Sequence, residues 1–416
     1  MSNRTALAVV FLVALSTTAS FAGDNIGGNS LPIVLTADDN PTPGANSATA
    51  YHVNTTTGQM TFLKTLKTGG TGLGLSSDYA NSLTAITGRG NCVYVANTGS
   101  DTISWFEGPN YNLGGSAGIP GMFSANGLGG SIAIDPNNTW VASANTGLGN
   151  ISMWQINGDC SLSLIGSWVP EIASLGTTYF PTLGFPAKSK NGIESLVVTA
   201  PNVGGIEFFH VTALGDLQDR TYAVYSNLSG CEQGCSPIGM DFTTDGAVAV
   251  FGNGSLTAPA VLTATLGAAN LNPQVWSIAN AAGLVNPQSV WFSQLGAGNR
   301  QHFGNGELYV GMSGDTTAGF PAGEVTTLFE ETSNAVNVEG SGTAIPTPDG
   351  ILGGLRTYGA TGNEDGAGGG EMVIAVYPNI LQPAAIGPNG TLILEEPTTD
   401  PNAASLFSIS LYPPTR

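Results

Sequence analysis

A strand–turn–strand unit recurs along this chain about every 50 residues, and no other feature restricts the fold as tightly. Residues 93–106 read Val-Tyr-Val-Ala-Asn-Thr-Gly-Ser-Asp-Thr-Ile-Ser-Trp-Phe: a short β run, a polar turn, then an alternating β run. Related copies lie at 140–154, 196–209, 247–264 and 307–329, with others at 33–53 and 391–411. Asn97, Asn145, Asn202 and Asn253 hold equivalent places, 48, 57 and 51 residues apart. Seven copies of four short strands predict an all-β fold, a seven-bladed β-propeller with four-stranded antiparallel blades. One four-stranded sheet cannot bury both of its faces, whereas radial stacking buries each face against the next blade. The second run of each unit is nearly all apolar, as a strand buried on both faces must be.

The other strands fit the same unit. First strands read at 131–134, 237–242 and 289–292, and fourth strands at 59–63 and 161–165. Apart from the N-terminal apolar run, no segment sustains helical periodicity over ten residues. Residues 331–383 read as irregular, with 372–377 as one further strand and the Gly-rich stretch 359–370 as a surface insertion. The expected organisation is a signal peptide over 1–22 and a single propeller domain over 23–416, carrying a Gly-rich insertion near 331–370.

Export is read from the first residues. Arg4 supplies a basic start, 6–15 an apolar run too short to cross a bilayer, and Ser20-Phe21-Ala22 a small-x-small cleavage site. No later stretch is apolar enough to span a membrane. The formal charge is −19, from 29 acidic and 10 basic residues. That balance excludes nucleic acid and anionic membranes as electrostatic partners. A small-molecule ligand or an extracellular partner remains.

An exported chain can form disulfides. Cys231 and Cys235 can close a small loop. Cys92 follows a first-to-second strand turn of the second unit, and Cys160 lies at a third-to-fourth turn of the third. Both turns fall on one face in adjacent blades, so a Cys92–Cys160 bridge is expected to staple neighbours. Six sequons mark candidate glycosylation sites at Asn54, Asn137, Asn150, Asn227, Asn253 and Asn389.

The segment 93–106 and the wider unit resemble the YVTN-type repeat of the lactonase-like seven-bladed propellers. That family includes 6-phosphogluconolactonases and 3-carboxymuconate lactonizing enzymes. The resemblance implies a lactonase- or cycloisomerase-like activity on a small oxygenated ring. It also implies a charged central cleft, with His, Arg and Glu for muconate chemistry or basic groups for a sugar phosphate, whereas this chain has 3 His and 10 Lys plus Arg in all. A phosphorylated substrate is therefore not expected, and a non-catalytic secreted or cell-wall glycoprotein serving as a binding or adhesion module is the second reading.

The loop between second and third strands shares a face with the links between blades. It offers Asn97, Asn145, Asn202 and Asn253 as candidate substrate-binding groups. In the other units it offers Asp38, Asp39, Asp315, Glu395 and Glu396, five carboxylates on one sector once the ring closes. Three readings follow. The carboxylates hold a divalent cation such as Ca²⁺, which takes six to eight oxygen ligands. Or crowded acids, Asp38, Asp39, Glu395 and Glu396, split their pKa values and act as acid and base. Or they are solvated loop charges, with Asn chosen for turn geometry. The Gly-rich runs at 69–74 and 127–130 precede no helix, so no nucleotide cofactor is expected. Residues 114–118 match G-x-S-x-G in letters only; without the flanking strand and helix of a nucleophile elbow they read as a loop.

Overall fold

The computed structural model describes residues 33–54, 59–74, 85–108, 110–121, 131–176, 182–186, 194–226, 228–231, 234–242, 248–253, 260–266, 271–279, 287–293, 307–312, 324–332, 335–338, 343–344, 352–358, 371–376, 379–386, 392–404 and 409–412. These form an all-β propeller. Among them the only helical elements are two 3₁₀ turns, Glu171–Leu175 and Pro201–Val203, and no helix is long and apolar enough to cross a membrane.

The first sheet holds β1 (Ile33–Ala37), β2 (Ser47–Val53) and β3 (Met60–Lys67). The second runs β4 (Ile86–Arg89), β5 (Cys92–Asn97), β6 (Thr102–Glu107) and β7 (Asn112–Gly118). The third runs β8 (Ile132–Ile134), β9 (Trp140–Asn145), β10 (Asn150–Ile156) and β11 (Leu162–Trp168). The fourth runs β12 (Leu183–Gly184), β13 (Glu194–Ala200), β14 (Gly205–Val211) and β15 (Leu217–Val224).

A larger sheet follows. It contains β16 (Pro237–Phe242), β17 (Val248–Asn253), β18 (Ala260–Leu266), β19 (Leu271–Ala279), β20 (Pro287–Ser293), β21 (Glu307–Met312), β22 (Glu324–Thr332), β23 (Ala335–Val338) and the short β24 (Thr343–Ala344). The last sheet has β25 (Leu352–Tyr358), β26 (Glu371–Val376), β27 (Ile380–Ile386), β28 (Leu392–Leu394) and β29 (Thr398–Thr399). The final strand, β30 (Ile409–Tyr412), pairs antiparallel with β1, so the chain's last strand is the inner strand of its first sheet.

Hydrogen bonding thus joins the described strands into six sheets, not the seven expected. The difference has a local cause. The nine-stranded sheet contains two consecutive antiparallel meanders, β16 to β19 and β20 to β23, and a parallel pairing of Ser277–Ala279 with Ala335–Asn337 fuses them at their outer strands. The innermost strands touch in cyclic order: β30 meets β4, then β8, β12, β16, β20, β25 and β30 again.

Burial explains the strand compositions. Every residue of β1, β5 and β9 is buried, which their apolar runs require. The outer strands β7 and β11 are mostly exposed or half-buried. The core lies between sheets: Leu35 and Ala50 of the first pack with Val93, Val95 and Phe106 of the second and with Val141 and Trp154 of the third. Each of the Leu, Val and Phe side chains among these contributes about 1.5–3 kcal/mol on burial.

Three expectations change here. Residues 391–396 are not a second strand. The last sheet's second and third strands are β26 and β27; β28 is its outer strand, with Ile393 60% exposed. The Leu-Ile-Leu triplet resembles a buried strand in letters but forms a sheet edge. Residues 331–358 are not an irregular insertion, since they supply β23, β24 and β25; their strands are too short and Gly-interrupted to read as such. The Gly-rich stretch 359–370 and the signal peptide lie outside the described residues. Finally, 114–118 are no loop but the core of β7. A Cβ on Gly114 would stand 2.5 Å from Nε1 of Trp105, because that indole lies across the glycine backbone. Gly114→Ala is therefore expected to cost about 1–3 kcal/mol, read as a lowered urea midpoint at unchanged slope.

The two expected disulfides form. Cys92–Cys160 joins the second sheet to the third with a Cα–Cα distance of 5.5 Å, and the Tyr94 hydroxyl donates to the Cys160 carbonyl at 3.0 Å. Cys231–Cys235 closes its short loop. Of the sequons, Asn54 and Asn137 are exposed and Asn150 is half-buried. Asn253 is fully buried with its side-chain oxygen accepting from the Ser236 N–H at 2.9 Å, so the folded chain does not present it to a glycosyl carrier. Asn227 and Asn389 fall outside the described residues.

Candidate functional site

Most of the predicted amides on the hairpin face are used internally. Asn97 is buried at the end of β5; its oxygen accepts from Asn46 Nδ2 at 2.9 Å, and its Nδ2 donates to Thr102 Oγ1 and Ser104 Oγ. Asn145 repeats the arrangement, donating to Asn150 Oδ1 and Ser152 Oγ at 2.7 Å each and accepting from Ser143. These side chains bracket the third strand against the second, and the repeat of Asn at this position follows from that role. Asn253 is buried, while Asn202 is exposed on the 3₁₀ turn. The four therefore do not line a common binding surface. The glycines at 69–74 also find their reason here. A Cβ on Gly70 would meet the Asn97 side chain at 2.3 Å, and one on Gly72 the Asp39 backbone at 2.3 Å, so the run straps the first sheet to the second.

The four predicted carboxylates among the described residues do not form one cluster. Asp39, with φ 46°, accepts from Thr98 Oγ1 at 2.8 Å and from the Leu73 N–H at 3.0 Å, tying the first hairpin to the second sheet. Glu395 and Glu396 follow the outer strand β28, where the Glu395 N–H donates to the Pro383 carbonyl of β27; Glu396 is exposed. Asp315 lies outside the described residues. Among the described residues no three His, Cys, Asp or Glu side chains are grouped to hold a metal.

Asp38 has a partner that sequence reasoning missed, Asp400. Both are fully buried. Asp38 accepts from Ser47 Oγ at 2.6 Å and from Thr49 Oγ1 at 3.0 Å; Thr36 Oγ1 lies 3.2 Å from Asp38 Oδ1 and 2.8 Å from Asp400 Oδ2. The Asn402 N–H donates to Asp400 Oδ1 at 3.0 Å. Burial, then the charge of Asp400, push the Asp38 carboxyl up to about 7 against the pull of its hydroxyl partners. Asp400 lies in the link between the last outer strand and β30, 362 positions from Asp38, and only ring closure brings them together.

A second acid pair sits on the opposite, turn-bearing face. Asp135 ends the inner strand β8 and is buried; the N–H groups of Asn137, Thr139 and Trp140 all donate to its carboxylate, at 2.9, 2.6 and 2.6 Å. Glu194, at the start of β13 in the next sheet, is only half-buried, yet its Oε1 is enclosed and unpartnered. Desolvation first, then a hydrogen bond and charge from Asp135, raise it to about 8. Arg89, at the end of inner strand β4, directs Nη1 at the Asp135 carbonyl, 3.4 Å away. Three neighbouring sheets thus place a guanidinium, a fixed carboxylate and a carboxyl titrating near neutrality on one rim. The first strand at 131–134, which Asp135 follows, was legible in the sequence; the neighbours of Asp135 across two sheets were not.

No family model and no curated protein sequence matches the chain. Solved structures do. A proposed 6-phosphogluconolactonase from Bacteroides fragilis is similar at 14% identity and TM-score 0.62, covering 92% of this chain and 98% of its own. Another from Bacteroides uniformis is similar at 12% identity and TM-score 0.63, over 92% of this chain and 100% of its own. The periplasmic gluconolactonase of Pseudomonas aeruginosa is similar at 12% identity and TM-score 0.60, over 92% and 99%. At these identities the likeness is one of fold: this chain is a β-propeller of the architecture those lactonase-named proteins share.

Proposed function

We propose that this chain is an exported lactonase- or cycloisomerase-like enzyme, a single seven-bladed propeller over 23–416, acting on a small oxygenated ring without a nucleotide cofactor. The observation that carries the reading is Glu194, a partly exposed carboxyl that holds its proton to about 8 beside Asp135. A group titrating near neutral pH is suited to general acid–base work. In lactone hydrolysis its ionised form takes a proton from water as the water oxygen bonds to the ring carbonyl carbon. The same carboxyl then returns the proton to the ring oxygen as the acyl C–O bond breaks, giving a hydroxy acid. Arg89 offers positive charge to the oxyanion formed between those steps. The likeness to lactonase-named propellers over nearly the whole chain supports this chemistry.

Seven blades are supported by the two meanders within the nine-stranded sheet and by the cyclic contacts of the inner strands. Export is supported by two disulfides and by the signal-like start of the chain. Asn54 and Asn137 are the sequons suited to carry glycans.

A non-catalytic binding or adhesion glycoprotein is favoured by a different observation: Asp39, Asn97 and Asn145 each spend hydrogen bonds on neighbouring side chains of the scaffold and leave little chemistry on the hairpin face. The two readings separate in a pH-stat assay of uncharged five- and six-membered lactones between pH 6 and 9. Turnover by the wild type, reduced about 100-fold in Glu194→Gln at unchanged fold, is expected for the enzyme. Absence of turnover across the panel transfers the assignment to the binding module.

A further inference from the structure

Trp140 touches both members of the rim's acid pair. Its main chain is clamped to Asp135 twice: the Trp140 N–H donates to Asp135 Oδ1 at 2.6 Å, and the Trp140 carbonyl accepts from the Asp135 N–H at 3.1 Å. Its side chain leaves the third sheet and reaches the fourth. A Cβ on Gly215, in the β14–β15 turn with φ 84°, would stand 3.1 Å from Cζ3 and 3.2 Å from Cε3 of the indole. The residue is 7% exposed and shares a core with Val211 and Leu217 of that sheet. Val211 is the cross-strand partner of Glu194, and Leu217 is the partner of Val211. The indole therefore lies against the strands that hold Glu194, and its N–H hydrogen-bonds to the Glu194 carboxyl.

An indole N–H donates and cannot accept, and it does not titrate. Beside Glu194 it favours the ionised carboxylate, against burial and Asp135, which favour the acid. It also sets the direction of the group. Glutamate is a long, rotating side chain, and proton transfer needs its carboxyl within hydrogen-bond reach of the reacting oxygen. A donor on a ring packed between two sheets restricts that rotation without adding charge to the rim.

We infer that Trp140 is the positioning residue of this site: its main chain fixes Asp135, and its indole N–H holds the Glu194 carboxyl in the orientation in which it exchanges a proton with water. The inference rests on the acid–base reading of Glu194, but it has a readout that needs no substrate.

That readout is the indole N–H resonance of Trp140 in the full chain, identified by its contacts with the Ile165 and Leu217 methyl groups and followed from pH 6 to pH 9. It should move with a midpoint near 8 in the wild type and stay still in Glu194→Gln. The comparison separates Glu194 from Asp135, Asp159, His210, Asp216 and Asp241, the other acids and histidine on the strands and turns around it. Trp140→Phe keeps an aromatic ring and removes the N–H. It should move the titration of Glu194 upward, read as a later decline of melting temperature with pH, and lower kcat about 10-fold at unchanged KM. A merely structural role would lower the melting temperature at every pH and leave the midpoint of that decline in place. If Trp140→Phe does not fold, the wild type and Glu194→Gln still decide. An indole resonance that ignores pH, or that moves equally in Glu194→Gln, overturns the inference even where lactones are turned over. A resonance that follows Glu194 with no turnover of any lactone upholds the contact and overturns the enzyme reading alone.

Discussion

Replacing Cys92 and Cys160 with Ser should destabilise the native state by about 4 kcal/mol, the largest loss expected from any bond pair in this fold. The bridge spans 68 residues of sequence, and the chain-entropy account ties its contribution to the logarithm of that length. Cys231–Cys235 spans only 4, so its removal should cost about half as much on the same account. The first bridge also crosses a sheet boundary. Cys92 and Cys160 are buried within the core shared by the first three sheets, where Tyr94 already bonds to the Cys160 carbonyl. Its loss should therefore loosen the packing of the second sheet on the third before the rest of the propeller opens. Hydrogen exchange should report faster opening of β5 and β10 in the double serine variant, and denaturant unfolding should report the larger loss in stability. Equal effects from the two bridges would show that native packing, not the length of the closed loop, sets their contribution.

The sequence made the repeating unit legible because strands buried on both faces leave an apolar run that no other environment tolerates. β1, β5 and β9 were visible for that reason, and their burial is complete. The disulfide was legible by the same logic, since the unit fixes which turn each cysteine occupies. Edge strands carry a weaker signature. Leu392–Leu394 pairs on one side only, exposes Ile393 and was read as a core strand; Ala335–Val338 was passed over. The mistaken placement of Glu395 and Glu396 followed from that single misassigned strand. What the sequence could not show is pairing across sheets. Asp38 was visible as a loop acid, but Asp400 meets it only because β30 returns to β1. The strand before Asp135 was visible, but nothing local to Glu194 announces that it faces Asp135 from the next sheet. The recurrent Asn, conversely, looked like ligand-binding groups because a repeated structural bracket and a repeated binding group leave the same trace in a sequence.

Glu194 should make the stability of the whole propeller depend on pH, falling as pH rises through the neutral range. The sign follows from proton binding. In the unfolded chain the carboxyl titrates near 4.5, whereas in the folded chain burial and Asp135 hold it protonated to about 8. Between those values the native state binds the extra proton, so raising the pH favours unfolding. The contribution is fully present below about pH 4.5 and is lost as pH passes through 8. Solvent reaches part of this side chain, which reduces the effect to about 1–2 kcal/mol between pH 5 and 9. Glu194→Gln keeps the shape and the polar atoms of the protonated form but cannot ionise. Its melting temperature should match the wild type near pH 5 and exceed it at pH 9, and the wild type's decline across that interval should be shallower in the variant. Asp135→Asn tests the cause from the other side. It removes the charge that opposes ionisation of Glu194 and should bring that group's titration down, while also weakening the three N–H bonds that shape the β8–β9 turn. A wild-type profile unchanged by Glu194→Gln would mean that the carboxyl titrates as an ordinary exposed acid, and the singling out of this rim for acid–base chemistry would lose its basis.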